Sequence, residues 1–278
     1  MTPLDARVAV VGHVEWVDFA VVPRLPHPGE ILHVPEFWGE AAGGGAVAAV
    51  QMAKLAGGAT FVTALAGDEH GRRTAEQLAG QGVTVHAAPR PGIQRRGFTY
   101  LTEDGERTIT ILGDRIVPHG DDELPWDAMD AIDGVYFTGG DAGALRAARR
   151  ARVVVATPRA DRALFESGVA VDVLVHSGKD KDEEIDPATL DPPPRTVVTT
   201  LGGKGGRWDG DAGSGTWESE PLPGPVVDAY GAGDSFAAGL TTGLAARLPI
   251  AEAIRLGSRC GAANMTGRGP YAGQLDLR

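Results

Sequence analysis

Short apolar runs rich in β-branched residues alternate along this chain with longer stretches whose apolar positions recur at helical spacing. Val8 to Val11 is a wholly apolar run that stops at Gly12, the pattern of a strand buried on both faces. After Gly43, Gly44 and Gly45, the segment AVAAVQMAKLAG predicts a helix closed by Gly57 and Gly58. The strand ATFVTAL then runs to Gly67-Asp68, and TAEQLAGQGV predicts another helix and its turn. The alternation resumes with strand GVYFTGG, helix AGALRAARRA, strand VVVAT, helix RALFESG and strands VDVLVHS and TVVTTLGGKGG. A hairpin through Trp208 and Trp217 follows, then VVD as a short strand, a long apolar helix, and the helical segment AEAIRLGSRCGAANMTGRG. Strands alternating with helices build a mostly parallel sheet covered on both faces, so the fold class expected is α/β, three-layered and doubly wound.

Two segments break this grammar. Residues 14 to 38 carry Pro23, Pro26, Pro28 and Pro35 among Trp16, Phe19, Phe37 and Trp38, which predicts short exposed strands rather than a helix. The run GFTYLTEDGERTITIL, Gly97 to Leu112, alternates around Asp104-Gly105 and predicts an antiparallel hairpin. Neither fits the parallel sheet, and together they are expected to form a separate flap over one edge.

Composition narrows the class of partner. The 40 glycines and 19 prolines in 278 residues follow no strict period, which indicates many tight turns in a globular chain. That length suits one large α/β domain. A formal charge of −11 argues against general nucleic-acid binding, which rests on Lys and Arg neutralising phosphates, and favours a small-molecule partner. The single cysteine, Cys260, excludes an internal disulfide framework and a cysteine zinc cluster, and its apolar surroundings mark it as a packing residue. The N-terminus has no charged start followed by an apolar run, and no segment reaches the ~18 consecutive apolar residues of a membrane span, so a cytoplasmic location is expected.

The chemistry concentrates in VVDAYGAGDSFAAGLTTGLAARL, Val226 to Leu248. Gly231 and Gly233 can take backbone angles closed to other residues, so consecutive amides can face one concavity at the positive end of the following helix. With Asp234 beside such an anion pocket, a carboxylate can accept a hydroxyl proton while the amides stabilise a transferring phosphoryl group. The same residues suit a plain strand-to-helix turn with Asp234 as its cap, and the segment alone leaves both readings open. The run Gly43 to Ala48 fits G-x-G-x-x-A but lacks a buried strand immediately before it, which argues against dinucleotide binding. Its glycines equally suit close backbone approach to a substrate or close helix packing. Val198 stands where a P-loop needs its first glycine, although Thr200-Leu201-Gly202-Gly203-Lys204-Gly205 still places glycines at a strand's carboxyl end, where ligands bind in parallel sheets. The scattered histidines form no metal pair, and His13 reads as solvated or facing the cleft. Lys179 to Glu184 reads as charged surface, with Asp180 close enough to a strand end to reach a Mg²⁺-bound phosphate.

These segments, in this order and over nearly the whole chain, resemble the ribokinase-like carbohydrate and nucleoside kinases of the PfkB family. Asp228-Ala229-Tyr230-Gly231-Ala232-Gly233-Asp234-Ser235-Phe236 is similar to the signature D-T-x-G-A-G-D-x-F. Ala42 to Gly57 resembles the glycine-rich N-terminal signature, Gly67-Asp68 its following G-D, Thr200-Leu201-Gly202 with Gly205 the nucleotide-side T-L-G-x-x-G, and Pro28-Gly29-Glu30 the P-G-E of the lid.

The resemblance implies a single ribokinase-like domain over 1–278, with a β-lid of about 14–38 and 94–115. It implies ATP and Mg²⁺ as cofactors and transfer of phosphoryl to a primary hydroxyl of a sugar, polyol or nucleoside. By it Asp234 is the base, with Gly231, Ala232 and Gly233 as the anion hole. Asp18, Gly43, Gly44 and Gly45 then fall on the acceptor side, Thr200, Gly202, Lys204, Gly205 and Asn264 on the nucleotide side, and Asp180 and Asp228 are the candidate metal residues. The departures matter too. Ser177-Gly178-Lys179-Asp180 replaces Asn-x-x-Glu, Val47 replaces the usual Asn, and Val17 stands at the ribokinase Asp position with Asp18 one residue on. Ribose itself is therefore disfavoured, and Ala229 and Tyr230 in place of threonines leave a monovalent-cation site in doubt. A noncatalytic sugar- or nucleotide-sensing protein on this fold, or a pyridoxal or hydroxymethylpyrimidine kinase, is the alternative. Arg95, Arg96, Arg107 and Arg115 could serve a phosphorylated acceptor, but alternate strand residues face opposite sides, and an unphosphorylated acceptor is expected. Exposed lid strands favour a homodimer through the lid.

Overall fold

The apolar run near the start of the chain becomes an interior strand, because both of its faces find helices. A computed structural model describes residues 2–102, 107–211 and 213–278. In chain order the elements are β1 (Val8–Val11), β2 (Glu15–Val22), β3 (Glu36–Ala42), α1 (Gly44–Ala56), β4 (Ala59–Ala66), α2 (Glu69–Gly80), β5 (Val83–Arg90), β6 (Arg96–Thr102) and β7 (Arg107–Leu112). They continue with β8 (Gly134–Phe137), α3 (Ala142–Ala148), β9 (Val153–Ala156), α4 (Asp161–Glu166), β10 (Val173–Ser177), β11 (Thr196–Thr200), β12 (Gly206–Gly210), β13 (Gly213–Trp217), α5 (Ala232–Ala245) and α6 (Ile250–Asn264). The main sheet has nine strands in the order β13-β12-β11-β10-β9-β8-β1-β4-β5. From β11 to β5 every neighbouring pair is parallel, and β12 and β13 close the other end antiparallel.

Strand alternation sorts the core into two layers. Val8, Val10, Phe61 and Tyr136 pack with α1, α5 and α6 through Met52, Phe236, Leu240 and Ile254. Ala9, Val11, Val62 and Phe137 pack on the other face with α3 and α4 through Leu145 and Leu164. Fully burying one such side chain stabilises by roughly 2–3 kcal/mol, whereas an exposed ion pair such as Arg72–Glu69 is screened by water and adds little, so these layers hold the sheet together.

The flap is a second sheet of four strands, β3-β2-β6-β7, in which only β2 and β6 run parallel. Asp104-Gly105, the expected hairpin turn, lies outside the described residues, but β6 and β7 on either side pair antiparallel from Leu101↔Arg107 onward. The lid strands extend to Ala42, past the expected limit at residue 38. β2 is largely buried rather than exposed: Val17 and Phe19 pack on Val47 and Tyr230, while Trp16 sits under Arg73 of α2. Two further departures from expectation concern the main sheet. β5 was not marked by the apolar pattern because His86, Pro89 and Arg90 interrupt it at an outer edge. Val226-Val227-Asp228 is no strand; Val226 and Val227 are exposed, and the amides of Val227 and Asp228 bond to the Met265 carbonyl at the end of α6.

Candidate active site

Gly231, in the left-handed region at φ 79°, caps α5 and turns the chain so that the first helical turn opens onto a cavity between the main sheet and the lid. That cavity, of about 280 Å³, is lined by Gly231, Ala232, Gly233, Asp234, Arg107, Arg159 and Glu183, among others. Asp234 faces it from surroundings that otherwise enclose the carboxylate. Burial pushes its pKa up to about 6, Glu183 adds to the rise, and Arg159, Arg107 and Arg115 oppose it. A carboxyl tuned toward neutrality beside helix-terminal amides suits proton transfer from an alcohol.

The three glycines divide in role. A Cβ on Gly44 would lie 2.6 Å from the Asp234 carboxylate and 3.2 Å from the Thr138 hydroxyl, so glycine lets the α1 backbone approach the base. Gly43 has φ 83° and its amide donates to the buried Tyr230 hydroxyl. Gly45 packs on the His13 carbonyl and Phe61, where a Cβ would clash.

Asp18 does not join this group. On β2 it lies on the face opposite Val17 and Phe19, accepts from Trp16 Nε1 and pairs with Arg96. Beside Gly43 stand instead Glu15, whose carboxylate accepts from Arg95 Nε at 2.8 Å, and His13, whose Nδ1 lies 2.8 Å from Arg115 Nη2. A guanidinium only donates, so Nδ1 accepts and the imidazole is neutral with its proton on Nε2. Burial and the neighbouring Arg115, Arg95 and Arg159 charges lower the His13 pKa accordingly. No spacing rule pointed to Glu15 or His13 as a pair with these arginines.

A second cavity, of about 520 Å³, adjoins the first through Thr200, Ala232, Gly233 and Phe236. Thr200, Gly202 and Gly205 line it, together with Leu222, Ser258, Gly261, Ala262 and Met265. Asn264 does not line it: spacing along α6 puts Ser258, Gly261, Ala262 and Met265 on the cavity face and turns Asn264 inward, where its amide donates to the Pro270 carbonyl. Lys204 is exposed in the turn beyond β11.

Of the two metal candidates, Asp228 is occupied structurally. Its oxygens accept from the Tyr230 and Gly269 amides, and it is buried, because it fixes the turn that leads into Gly231. Asp180 does reach the Asp234 cavity, alongside Glu183, and Arg159 bridges the two at 2.5 and 2.9 Å. Glu183 also accepts from the Ser177 amide. Glu183 and Arg159 went unmarked because charged loop residues look alike until the fold brings them to one wall.

Comparison with known proteins gives the family and the fold. Residues 5–164 and 171–276 match the model of the pfkB family carbohydrate kinases, and the chain belongs to that family. It is 27% identical over 223 residues to the fructoselysine 6-kinase of Escherichia coli, covering 76% of this chain and 84% of that one. It is 25% identical over 270 residues to the ATP-dependent ribose-1-phosphate kinase of Halopiger xanaduensis, covering 92% and 90%. Its fold is that of a ribokinase from Thermotoga maritima (TM-score 0.79, 20% identity, 98% and 96% coverage) and of an Arabidopsis thaliana ribokinase solved with ribose and ATP (0.76, 20%, 98% and 96%). The chain is thus a kinase of the PfkB class, with a mostly parallel nine-stranded sheet and a separate lid sheet.

Proposed function

We propose that this protein transfers the γ-phosphoryl group of ATP to a primary hydroxyl of a sugar-like polyol or nucleoside held between Asp234 and the lid. The observation that carries the reading is Asp234 itself, a carboxyl raised to about 6 at the amino end of α5, with Gly44 making room beside it. The acceptor oxygen bonds to phosphorus as the bridge to ADP breaks, and Asp234 takes the hydroxyl proton. The Gly231, Ala232 and Gly233 backbone stabilises the charge on the transferring group.

The apolar cavity beyond Thr200 and Gly202 suits a purine and ribose. Asp180 and Glu183 are hard oxygen donors at the cavity wall, and a Mg²⁺ ion, which needs only one or two carboxylates, would be held there and would neutralise phosphate charge. The lid excludes water that would compete for the phosphoryl group, and a four-stranded lid sets this reading apart from a lid-less vitamin kinase.

The test is ADP release by the purified protein over a panel of alcohols, with Asp234→Asn beside the parent. The variant is expected to lose roughly 10²–10⁴-fold in kcat while retaining its melting temperature or raising it. Near-parental turnover in Asp234→Asn would remove the base assignment, and no ADP release with any alcohol would remove the kinase reading.

A further inference from the structure

Arginines of the lid and the neighbouring loops divide by whether they form a salt bridge with a carboxylate. Arg95 is answered by Glu15, and Arg159 by Asp180 and Glu183. Arg96 is answered by Asp18, on the lid face turned away from Val17 and Phe19. Arg107 and Arg115 form no salt bridge among the described residues; the carboxylate of Asp234 acts on both, and that of Glu15 on Arg115, without a direct pair.

Arg115 is mostly enclosed, and its bonds go to neutral groups: Nη1 donates to the Arg159 carbonyl, and Nη2 to the Thr138 carbonyl and His13 Nδ1. Its Nε is buried with no partner at all. Burial and the nearby Arg95 and Arg159 charges work against its cationic form, and Glu15 only partly offsets them. Arg107 is in register with Leu101 on the lid face that carries Val17 and Phe19. It lines the Asp234 cavity, and its guanidinium lies 5.7 Å from the Tyr230 ring centroid.

Enclosing the unpaired Arg115 guanidinium is costly unless negative charge arrives with a ligand, and the exposed Arg107 at the same site adds a second cation that such a ligand can meet. The position of Arg115 indicates which ligand. It sits at Thr138, Gly139 and His13, at the ends of β1 and β8, whereas Gly202, Gly203 and Gly205 line the second cavity, which Arg115 does not reach.

We propose that the acceptor is itself an anion, a sugar-like alcohol bearing a phosphate monoester or a carboxylate, whose charge lies between Arg107 and Arg115 while a free hydroxyl faces Asp234. The proposal rests on the kinase reading above and departs from the expectation of an unphosphorylated acceptor. Strand alternation does turn Arg96 away. Arg95 and Arg115, however, lie just outside β6 and β7, where alternation does not bind them, and Arg107 starts β7 on the inner face. The neutral His13, with its proton fixed on Nε2 next to Gly43, adds a further donor and no opposing charge.

The experiment is ADP release by the full chain with Mg²⁺ and ATP, over three acceptor groups at matched concentrations: neutral sugars and polyols, their phosphate monoesters, and their carboxylate derivatives. The best acceptor is expected in one of the two anionic groups, and which one identifies the source of the charge. For that acceptor Arg107→Gln should raise KM roughly tenfold or more, with a smaller change in kcat, and Arg96→Gln should leave KM in place. Arg107 is exposed, so its replacement is expected to keep the parental melting temperature. A neutral sugar as best acceptor, or an anionic one whose KM ignores Arg107→Gln, would overturn the proposal and leave the kinase standing. ATP binding by calorimetry without ADP release in any group would overturn the kinase reading and this inference with it.

Discussion

Asp234 does its proposed work at a pH set by its surroundings. Its folded pKa of about 6 exceeds the ordinary 3.8, so the folded protein holds the proton more tightly than the unfolded chain. Two consequences follow in opposite directions. Activity needs the ionised form, so kcat/KM is expected to fall about tenfold per unit as pH drops below about 6. Stability runs the other way: ionising a group whose pKa is raised on folding weakens the fold, and between the unfolded and folded values this amounts to up to about 3 kcal/mol, lost as pH rises through 6. Asp234→Asn should therefore melt higher than the parent at pH 8 and alike at pH 3.5, and its residual activity should lack the acid limb. The same limb surviving in the variant would assign it to another group. Asp234 was legible in the sequence because base, glycines and helix are contiguous. His13 and Arg115 were not, since they are separated by 102 positions and meet only when β1 and the segment beyond β7 converge.

At the scale of elements, the lid is only as well placed as its root. The buried Gln94 sits just before β6, accepts from the Ala66 amide at the end of β4 and donates to the Val14 carbonyl before β2, while its own amide donates to Asp68. One side chain thus ties both lid entries to the main sheet. Gln94→Leu leaves a buried amide and carbonyl unpaired, and each such group costs about 1–3 kcal/mol. A loss of about 2–5 kcal/mol in urea denaturation is expected, together with a raised acceptor KM. Parental stability and KM together would show that the lid is positioned by its inner packing alone. Nothing in the local pattern around residue 94 announced this, because Gln in a polar loop is ordinary. The alternating β-α grammar, by contrast, was readable in advance for β1, α1, β4 and the series from β8 to β11. It failed where solvent or loop backbone bonds decide the outcome, at edge strand β5 and at Val226-Val227.

For the molecule as a whole, the outer lid carries apolar surface that this chain leaves bare. Phe37 is 77% exposed, Ile31 86% and Ile93 67%, while β3 and β7 are the open edges of the lid sheet. Unpaired edges beside exposed aromatic and aliphatic side chains favour association with a second copy, which would cover them and stiffen the lid. The charge distribution makes the idea testable. Each copy carries a formal −11, so pairing through apolar lid surface works against a general repulsion that salt screens over about 8–10 Å. A dimer in sedimentation equilibrium is expected to tighten as NaCl rises, whereas association through ion pairs would loosen. Phe37→Glu, which adds charge to the bare edge strand β3, should yield monomers and, by loosening the lid, a higher acceptor KM. A parent that stays monomeric at tens of micromolar in high salt, or a Phe37→Glu protein that still dimerises, would place any association elsewhere and leave the lid to close over the acceptor within a single chain.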